Sequence, residues 1–174
     1  MFNFVKKNHS VENRLYNKIL FLSRNKMFYS DFKISDTFQN RINLIFLHIS
    51  FLFNKIKESK KNKNSNNFDQ NLFDLIFKKI ELNMREIGYG DVTVNKNMKY
   101  LVKVFYSILL DSKSYINKTN DDKILFLLTY LTTNSNNKNT DNKELVKYFD
   151  KYQTFCFDLC LDSVLKGDLK FTYK

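Results

Sequence analysis

The chain has 174 residues and a net charge of +11, with 43% hydrophobic and 16% aromatic residues. Its length predicts one domain with a core of its own, and its apolar content excludes a disordered protein. The positive charge favours acidic partners, namely RNA, a ribosome or anionic lipid head groups, without choosing among them.

The first segment, residues 1–27, is predicted to be a basic amphipathic helix. Val11, Leu15, Ile19 and Leu22 recur at helical spacing, and Glu12 is the only acidic residue of the segment. Three interpretations stay open: a first helix packed on the body, a helix on a membrane surface, and a transit peptide. We divide the chain into this segment and a helical domain, residues 28–174.

A central buried helix is predicted next, capped by Asp36 or Thr37. Residues 42–53, INLIFLHISFLF, are apolar around the whole helix, and they are too few to span a bilayer. His48 lies in this run. His9 is the only other histidine, and neither has a cluster of acids or cysteines beside it. We therefore expect His48 to be a hydrogen-bonded core residue and expect no metal site.

The remaining segments alternate between helical periodicity and polar loops. Residues 57–67 and 132–143 are predicted to be loops, and helical spacing covers 68–87, with Leu82 on the apolar stripe. Residues 120–122 are expected to cap a short buried helix at 124–131. A final helix is expected from Asp141 to Gly167, with Cys156 and Cys160 as buried thiols on one face, followed by an extended tail. The predicted fold is an all-α, single-domain bundle of about six to seven helices.

Two of the three glycines, Gly88 and Gly90, lie within three residues, in a chain without proline. Glycine tolerates the left-handed conformation that follows the last turn of a helix. Asp91 or Thr93 can cap the helix that follows, so the sequence predicts a tight helix–helix corner. Beyond the corner, one helix face is predicted to be buried through Met98, Leu101, Val102, Phe105 and Leu109.

The opposite face of that second helix is basic, because Lys96, Lys99 and Lys103 recur at i, i+3 and i+7. Such a charged corner is either an ordinary solvated surface or a docking surface. We predict a surface that binds a partner or client, made by Arg85, Glu86, Gly88, Gly90, Asp91, Lys96, Lys99 and Lys103.

The corner also carries a family resemblance. The stretch REIGYGDVTVNKNMK, residues 85–99, followed by VFY, resembles the signature of the ubiquinol–cytochrome c chaperone family. The matching positions are Arg85, Glu86, Gly88, Gly90, Asp91, Val94, Lys96, Met98, Lys99, Phe105 and Tyr106. Residues 37–48 and the positions of Gly167, Leu169 and Phe171 extend the similarity over roughly residues 28–171.

The resemblance implies a non-enzymatic assembly chaperone that binds newly made cytochrome b and promotes assembly of the ubiquinol–cytochrome c reductase, complex III. It implies no cofactor and no small-molecule substrate. Candidate partners are cytochrome b or other complex III assembly intermediates, a ribosome and an anionic membrane surface. The expected location is the bacterial cytoplasm at the periphery of the inner membrane, with the matrix side of the mitochondrial inner membrane as the alternative.

Two other classes of function stay open. One is a basic helical RNA- or ribosome-binding protein, which the charge supports although the sequence has no aromatic RNP submotif or GXXG loop. The other is an enzyme of quinone or lipid metabolism with a buried apolar pocket, for which hydrophobicity is the only support. The sequence gives no dinucleotide fingerprint, P-loop, HExxH motif or nucleophile elbow, so we predict no enzymatic activity.

Overall fold

A computed structural model describes residues 10–59, 68–134 and 138–173, and these are predominantly helical. Six helices have eleven residues or more: α1 (Val11–Ser23), α3 (Phe38–Ser59), α4 (Phe68–Glu86), α5 (Asp91–Asp111), α6 (Asn120–Tyr130) and α7 (Lys138–Asp158). Two short helices, α2 (Met27–Ser30) and α8 (Leu161–Leu165), and a 3-10 helix (Ser112–Asn117) complete the described elements. The pairing Ile34–Thr133 is an isolated bridge rather than a strand. The predicted all-α bundle is confirmed.

The centre of the bundle is α3, as the sequence predicts. Every side chain from Ile42 to Asn54 is buried, and α1, α4, α5, α7 and the 3-10 helix all pack against α3. Thr37 caps the helix, because its side-chain oxygen accepts the Asn40 amide at 3.2 Å. A helix with no face toward water needs neighbours on every side, and these neighbours supply them.

His48 lies at the middle of this core, fully buried and hydrogen-bonded on both ring nitrogens. Nδ1 lies 2.6 Å from the carbonyl oxygen of Leu44, and Nε2 lies 2.7 Å from the hydroxyl of Tyr148 on α7. A carbonyl oxygen only accepts, so Nδ1 carries the proton and Nε2 accepts from Tyr148. Burial lowers the pKa of His48 to about 4, and the predicted core role of this residue is confirmed.

Polar side chains at the start of α3 hold the segment after α6. The Asn40 side-chain nitrogen donates to the carbonyl oxygen of Thr132 at 2.9 Å, and its oxygen accepts the Thr132 amide at 3.1 Å. Asn43 donates to the carbonyl oxygen of Tyr130 at 2.6 Å. These hydrogen bonds satisfy backbone groups at the C-terminal end of α6 and fix the position of that end relative to α3.

Several boundaries differ from those predicted. The predicted loop at 57–67 begins later, because α3 continues to Ser59, and residues 60–67 lie outside the described part. The predicted loop at 132–143 ends earlier, because α7 begins at Lys138, and residues 135–137 are not described. Residues 57–59 and 138–143 are polar but helical, although their composition predicts loops. Thr119, rather than residues 120–122, caps α6 by accepting the Asp122 amide. Leu82 is exposed rather than on the buried stripe.

The predicted final helix is divided in two. α7 ends at Asp158 and α8 begins at Leu161, so the prediction of two buried thiols on one face is wrong for Cys160, which is exposed. Cys156 is buried as expected, and burial raises the pKa of its thiol to about 12. A break in the helix rotates residue 160 away from the face that carries residue 156.

The segment after α8 returns to the body and contacts α1. Gly167 follows α8 with φ of +70°, and a Cβ there would lie 3.1 Å from the carbonyl oxygen of Val11 and 3.2 Å from Cβ of Arg14. Both the backbone conformation and the close approach therefore require glycine. Beyond Gly167, Leu169 and Phe171 are buried. The ring of Phe171 packs edge-on against the ring of Tyr152, with 5.0 Å between the ring centroids.

α1 is packed on the body, with Leu15, Tyr16 and Ile19 buried in the common core against α3 and α4. Residues 1–9 of the predicted basic segment lie outside the described part, and the domain boundary at residue 27 stays a prediction. Over the described ranges, no helix combines the length and the apolar character needed to cross a bilayer.

The buried histidine predicts acid sensitivity. The unfolded chain has an ordinary histidine pKa of 6.5, above the value of about 4 in the folded protein, so protons favour the unfolded state between these pH values. Stability is expected to be greatest above pH 6.5 and to decline as the pH falls toward 4, with a His48 contribution of about 3 kcal/mol. Urea unfolding across this range measures the decline.

Two variants isolate this contribution. His48→Gln keeps an acceptor for the Tyr148 hydroxyl but does not titrate, so its stability should change less with pH than that of the unaltered protein. His9→Gln, at the only other histidine, is the matched control and should keep the full decline. An unchanged pH dependence in His48→Gln would assign the decline to other groups.

Candidate functional site

The predicted corner between α4 and α5 closes as a Schellman motif. The Gly88 amide donates to the carbonyl oxygen of Arg85 at 3.0 Å, and the Tyr89 amide donates to that of Met84 at 3.1 Å. Gly88 has φ of +100°, where an L side chain is strained, which confirms the predicted reason for a glycine. The carbonyl groups of Met84 and Arg85, in the last turn of α4, are thereby satisfied by backbone amides.

The predicted capping residues of α5 are wrong. Gly90, with φ of −70° and ψ of 159°, is the N-cap, and its carbonyl oxygen accepts the Val94 amide at 3.0 Å. Asp91 is the first helical residue and Thr93 lies within the first turn. Glycine is an acceptable N-cap, and this leaves the Asp91 carboxylate free to bind another group at the positive end of the helix.

That group is Arg85. Its guanidinium contacts the Asp91 carboxylate across the turn, and it also donates to Glu81 one turn back on α4, at 3.0 Å and 3.1 Å. These hydrogen bonds, with Asp91 first, raise the pKa of Arg85. The guanidinium therefore joins the two helices at the surface. Of the predicted site residues, Arg85 and Asp91 are in direct contact.

Glu86 points to a different part of the surface. It lies beside a groove of about 210 Å³ between α1, α3 and α4, whose apolar wall is formed by Leu20, Phe38, Ile42, Ile45, Ile80 and Ile87. Arg24 and Arg41 also line this groove, which we call the α1 groove. Adjacent positions on a helix point about 100° apart, so Arg85 and Glu86 do not act on one surface.

The three predicted lysines lie on the exposed side of α5, as expected, and Leu101, Phe105 and Leu109 are buried on the other. Met98 and Val102 are half-buried against the core. Within the described ranges, no ion pair involves Lys96, Lys99 or Lys103. Their ammonium groups are therefore available to a partner, whereas Arg85 and Asp91 are committed to each other.

The same side of α5 carries large apolar residues that the sequence analysis did not single out. Val92 is 84% exposed and Leu110 is 60% exposed, and both lie on the lysine stripe. Tyr100 and Tyr106 flank the stripe and are also exposed. We call this surface the outer face of α5; it comprises Val92, Lys96, Lys99, Tyr100, Lys103, Tyr106 and Leu110.

The exposed apolar residues are concentrated in this part of the protein. Within the described ranges, seven of ten exposed large hydrophobic side chains lie between residues 82 and 110. Helical spacing alone could have found those on α5, because positions 92, 96, 99, 103, 106 and 110 share one side of a helix. The charge pattern marks the lysines of this side but not the apolar residues between them.

The described residues show no group of three or more histidine, cysteine, aspartate or glutamate side chains arranged for a metal ion. The arrangement at the corner is suited to binding rather than to proton transfer, since it presents ammonium groups, phenol rings and aliphatic side chains on one helix.

Comparison with known proteins identifies relatives of the chain. A family model described as ubiquinol-cytochrome C chaperone matches residues 30–171. The crystal structure of the Cbp3 homolog from Brucella abortus superposes with a TM-score of 0.79 at 23% sequence identity, covering 94% of this chain and 89% of that one. A search of curated proteins finds no match.

The geometry of the corner predicts that the same substitution has different effects on stability at Gly88 and at Gly90. Gly88→Ser places a side chain at φ of +100° and is expected to cost about 1–2 kcal/mol of stability, although there is space for the side chain. Gly90→Ser is the matched control. It places a preferred N-cap residue at an ordinary φ and should be neutral or slightly stabilising.

Chemical unfolding of the two variants measures the difference. Equal losses of stability in both would mean that the corner does not depend on the left-handed conformation at Gly88.

Proposed function

The chain belongs to the ubiquinol–cytochrome c chaperone family, and we propose that it is a non-enzymatic chaperone that binds newly made cytochrome b during assembly of complex III. The client is proposed to dock on the outer face of α5 and the adjoining corner. The proposed surface includes seven of the predicted site residues, namely Arg85, Gly88, Gly90, Asp91, Lys96, Lys99 and Lys103. The predicted role of Glu86 is not kept, because this residue lines the α1 groove instead.

The observation that carries the proposal is the exposure of four large apolar or aromatic side chains on the outer face of α5, namely Val92, Tyr100, Tyr106 and Leu110. Contiguous apolar surface with a polar rim is typical of protein–protein contact sites, and aromatic residues are enriched in them. A newly made membrane protein exposes apolar helices before it is assembled. Val92 and Leu110 offer such a client apolar contact, and the two tyrosines add contact area at low entropic cost.

The lysines add a second element of recognition. The three ammonium groups lie within about two turns of helix and form no ion pair with any residue that the structure describes. They favour a client with acidic residues beside its apolar segments. The stems of the lysine side chains also cover apolar surface while the charged ends stay in water. Within the proposed site, Arg85 and Asp91 position the corner, and Gly88 and Gly90 give it its shape.

We place the protein in a bacterial cytoplasm, peripherally associated with the inner membrane, with the mitochondrial matrix side as the alternative. The bacterial source of the structural relative supports the first location. Peripheral association is supported by the basic composition of the first 27 residues. A ribosome is a further candidate partner, because an early encounter with the client would suit this role.

A double charge reversal tests the lysines of the outer face. Lys96→Glu with Lys99→Glu should reduce recovery of cytochrome b with the tagged protein and lower the amount of assembled complex III. Stability should change by less than about 0.5 kcal/mol, because both side chains are exposed. The matched control, Lys113→Glu with Lys143→Glu, makes the same change of charge at exposed positions on other elements.

Three results would contradict the proposal. Normal complex III assembly with the double variant would show that Lys96 and Lys99 are not needed for client docking. An equal loss in the control would show that net charge alone is required. Recovery of bulk RNA instead of cytochrome b, with binding that weakens steeply as salt rises, would favour the RNA-binding alternative.

A second pair of variants tests the apolar part of the outer face. Val92→Ser with Leu110→Ser should lower recovery of cytochrome b at high salt, where the contribution of the lysines is screened. Leu125→Ser is the control, since Leu125 is 67% exposed on α6. Recovery that is unchanged in the double variant and lowered in the control would place the client on α6.

A further inference from the structure

The α1 groove has an apolar floor and a basic end. Ile42, Ile45 and Ile80 form its floor and are almost fully buried, whereas Ile87 stands at its edge with 64% of its surface exposed. Covering an aliphatic side chain this exposed removes apolar surface from water and is therefore favourable. The apolar surface that an occupant would remove from water is therefore at the edge of the groove, at Ile87, rather than at its floor.

The basic end lies at the last turn of α1. A second, shallower depression adjoins the groove there and shares Leu20 and Arg24 with it; Phe21 and Lys26 also line it. Phe21 is 76% exposed, the second most exposed of the large hydrophobic residues that the structure describes. An exposed phenylalanine in the same depression as an arginine and a lysine is typical of a segment that inserts at the surface of a membrane.

The charges around the groove favour an anionic head group at this end. Arg41 is already paired with Asp36 through two bonds of 2.6 Å and 2.8 Å, and Glu86 lies on the opposite side, on α4. Arg24 has no ion pair among the described residues. A negative group is therefore attracted to Arg24 and Lys26, at the α1 end of the groove.

We propose that the α1 groove takes up an acyl chain of an anionic phospholipid while the protein lies on a bilayer. Arg24 and Lys26 bind the phosphate of the head group, Phe21 inserts beside it, and the chain covers Ile87 and the isoleucines of the floor. The volume of about 210 Å³ accommodates part of one chain rather than a whole lipid. This inference deepens the peripheral location proposed above and rests on it.

Single tryptophans test the proposal directly, because the chain has none of its own. Ile87→Trp reports on the groove, Phe21→Trp reports on the inserting end of α1, and Leu125→Trp is the matched control on α6. Each protein is mixed with vesicles of phosphatidylcholine and phosphatidylglycerol whose acyl chains carry bromine, which quenches a tryptophan in contact with it. We expect quenching at positions 87 and 21, and none at 125.

Quenching at position 21 without quenching at 87 would overturn the acyl-chain site and leave only surface insertion. Quenching at all three positions would overturn it as well, by showing contact without a site. Arg24→Glu with Lys26→Glu should weaken binding to these vesicles by about tenfold or more, and vesicles of phosphatidylcholine alone should bind weakly. Equal binding to both kinds of vesicle would overturn the role of the anionic head group.

The outcomes separate this inference from the proposed chaperone function. Lys96→Glu with Lys99→Glu lies on α5 and should leave quenching at position 87 unchanged. If cytochrome b is never recovered with the protein while position 87 is quenched, the client proposal fails and the lipid site stands. If the client is recovered but no vesicle binds, the lipid site fails alone.

Discussion

The complete burial of α3 from Ile42 to Asn54 is the constraint on which the rest of the structure depends. A helix without a solvent face is stable only when neighbours cover every side, so the positions of α1, α4, α5 and α7 follow from it. The apolar side chains of α3 require neighbours but do not fix where along α3 each neighbour packs. The polar side chains of α3 fix these positions, because a buried donor or acceptor costs free energy unless its partner is placed correctly. His48 fixes the position of α7 along α3 through its hydrogen bond with Tyr148. Asn40 and Asn43 fix the position of the C-terminal end of α6 in the same way.

The surface available for binding is a consequence of the same constraint. Because Leu101, Phe105 and Leu109 are buried in the core, the opposite side of α5 is largely exposed. At its edge, the ring of Tyr106 lies 5.9 Å from the ring of Phe73 on α4, measured between centroids. An unpartnered helix face would ordinarily be polar throughout. Here lysines alternate with the exposed residues Val92, Tyr106 and Leu110, and the proposed client-binding surface rests on this pattern.

The sequence predicted the elements whose signals are local and strong. The apolar run of α3 and the paired glycines of the corner each have one physical explanation, and both were interpreted correctly. The wrong predictions occurred where two nearby residues could each have played the same structural role. Asp91 is a good capping residue, but Gly90 precedes it and Arg85 engages its carboxylate. Cys160 follows Cys156 at helical spacing, but no residue type in the sequence marks the end of α7 at Asp158.

Parts of the candidate site depended on tertiary structure. The sequence alone could have predicted that Arg85 and Glu86 point to separate surfaces, because this follows from helix geometry. The sequence could not have predicted the α1 groove, because its residues Leu20, Ile42 and Ile80 come from three different helices. Only the packing of α1 on α3 and α4 brings these residues together.

The contact between α1 and the segment around Gly167 has a consequence for biosynthesis. Arg14 donates to the carbonyl oxygen of Lys166, across 152 positions of sequence. At roughly 5–20 residues per second, a ribosome needs on the order of 10 s to make the intervening chain. Throughout that interval α1 has been made but lacks this contact, and the aromatic packing of Phe171 is also missing. The nascent protein therefore passes through a state in which part of its own core is uncovered, and such exposed apolar surface is prone to aggregation.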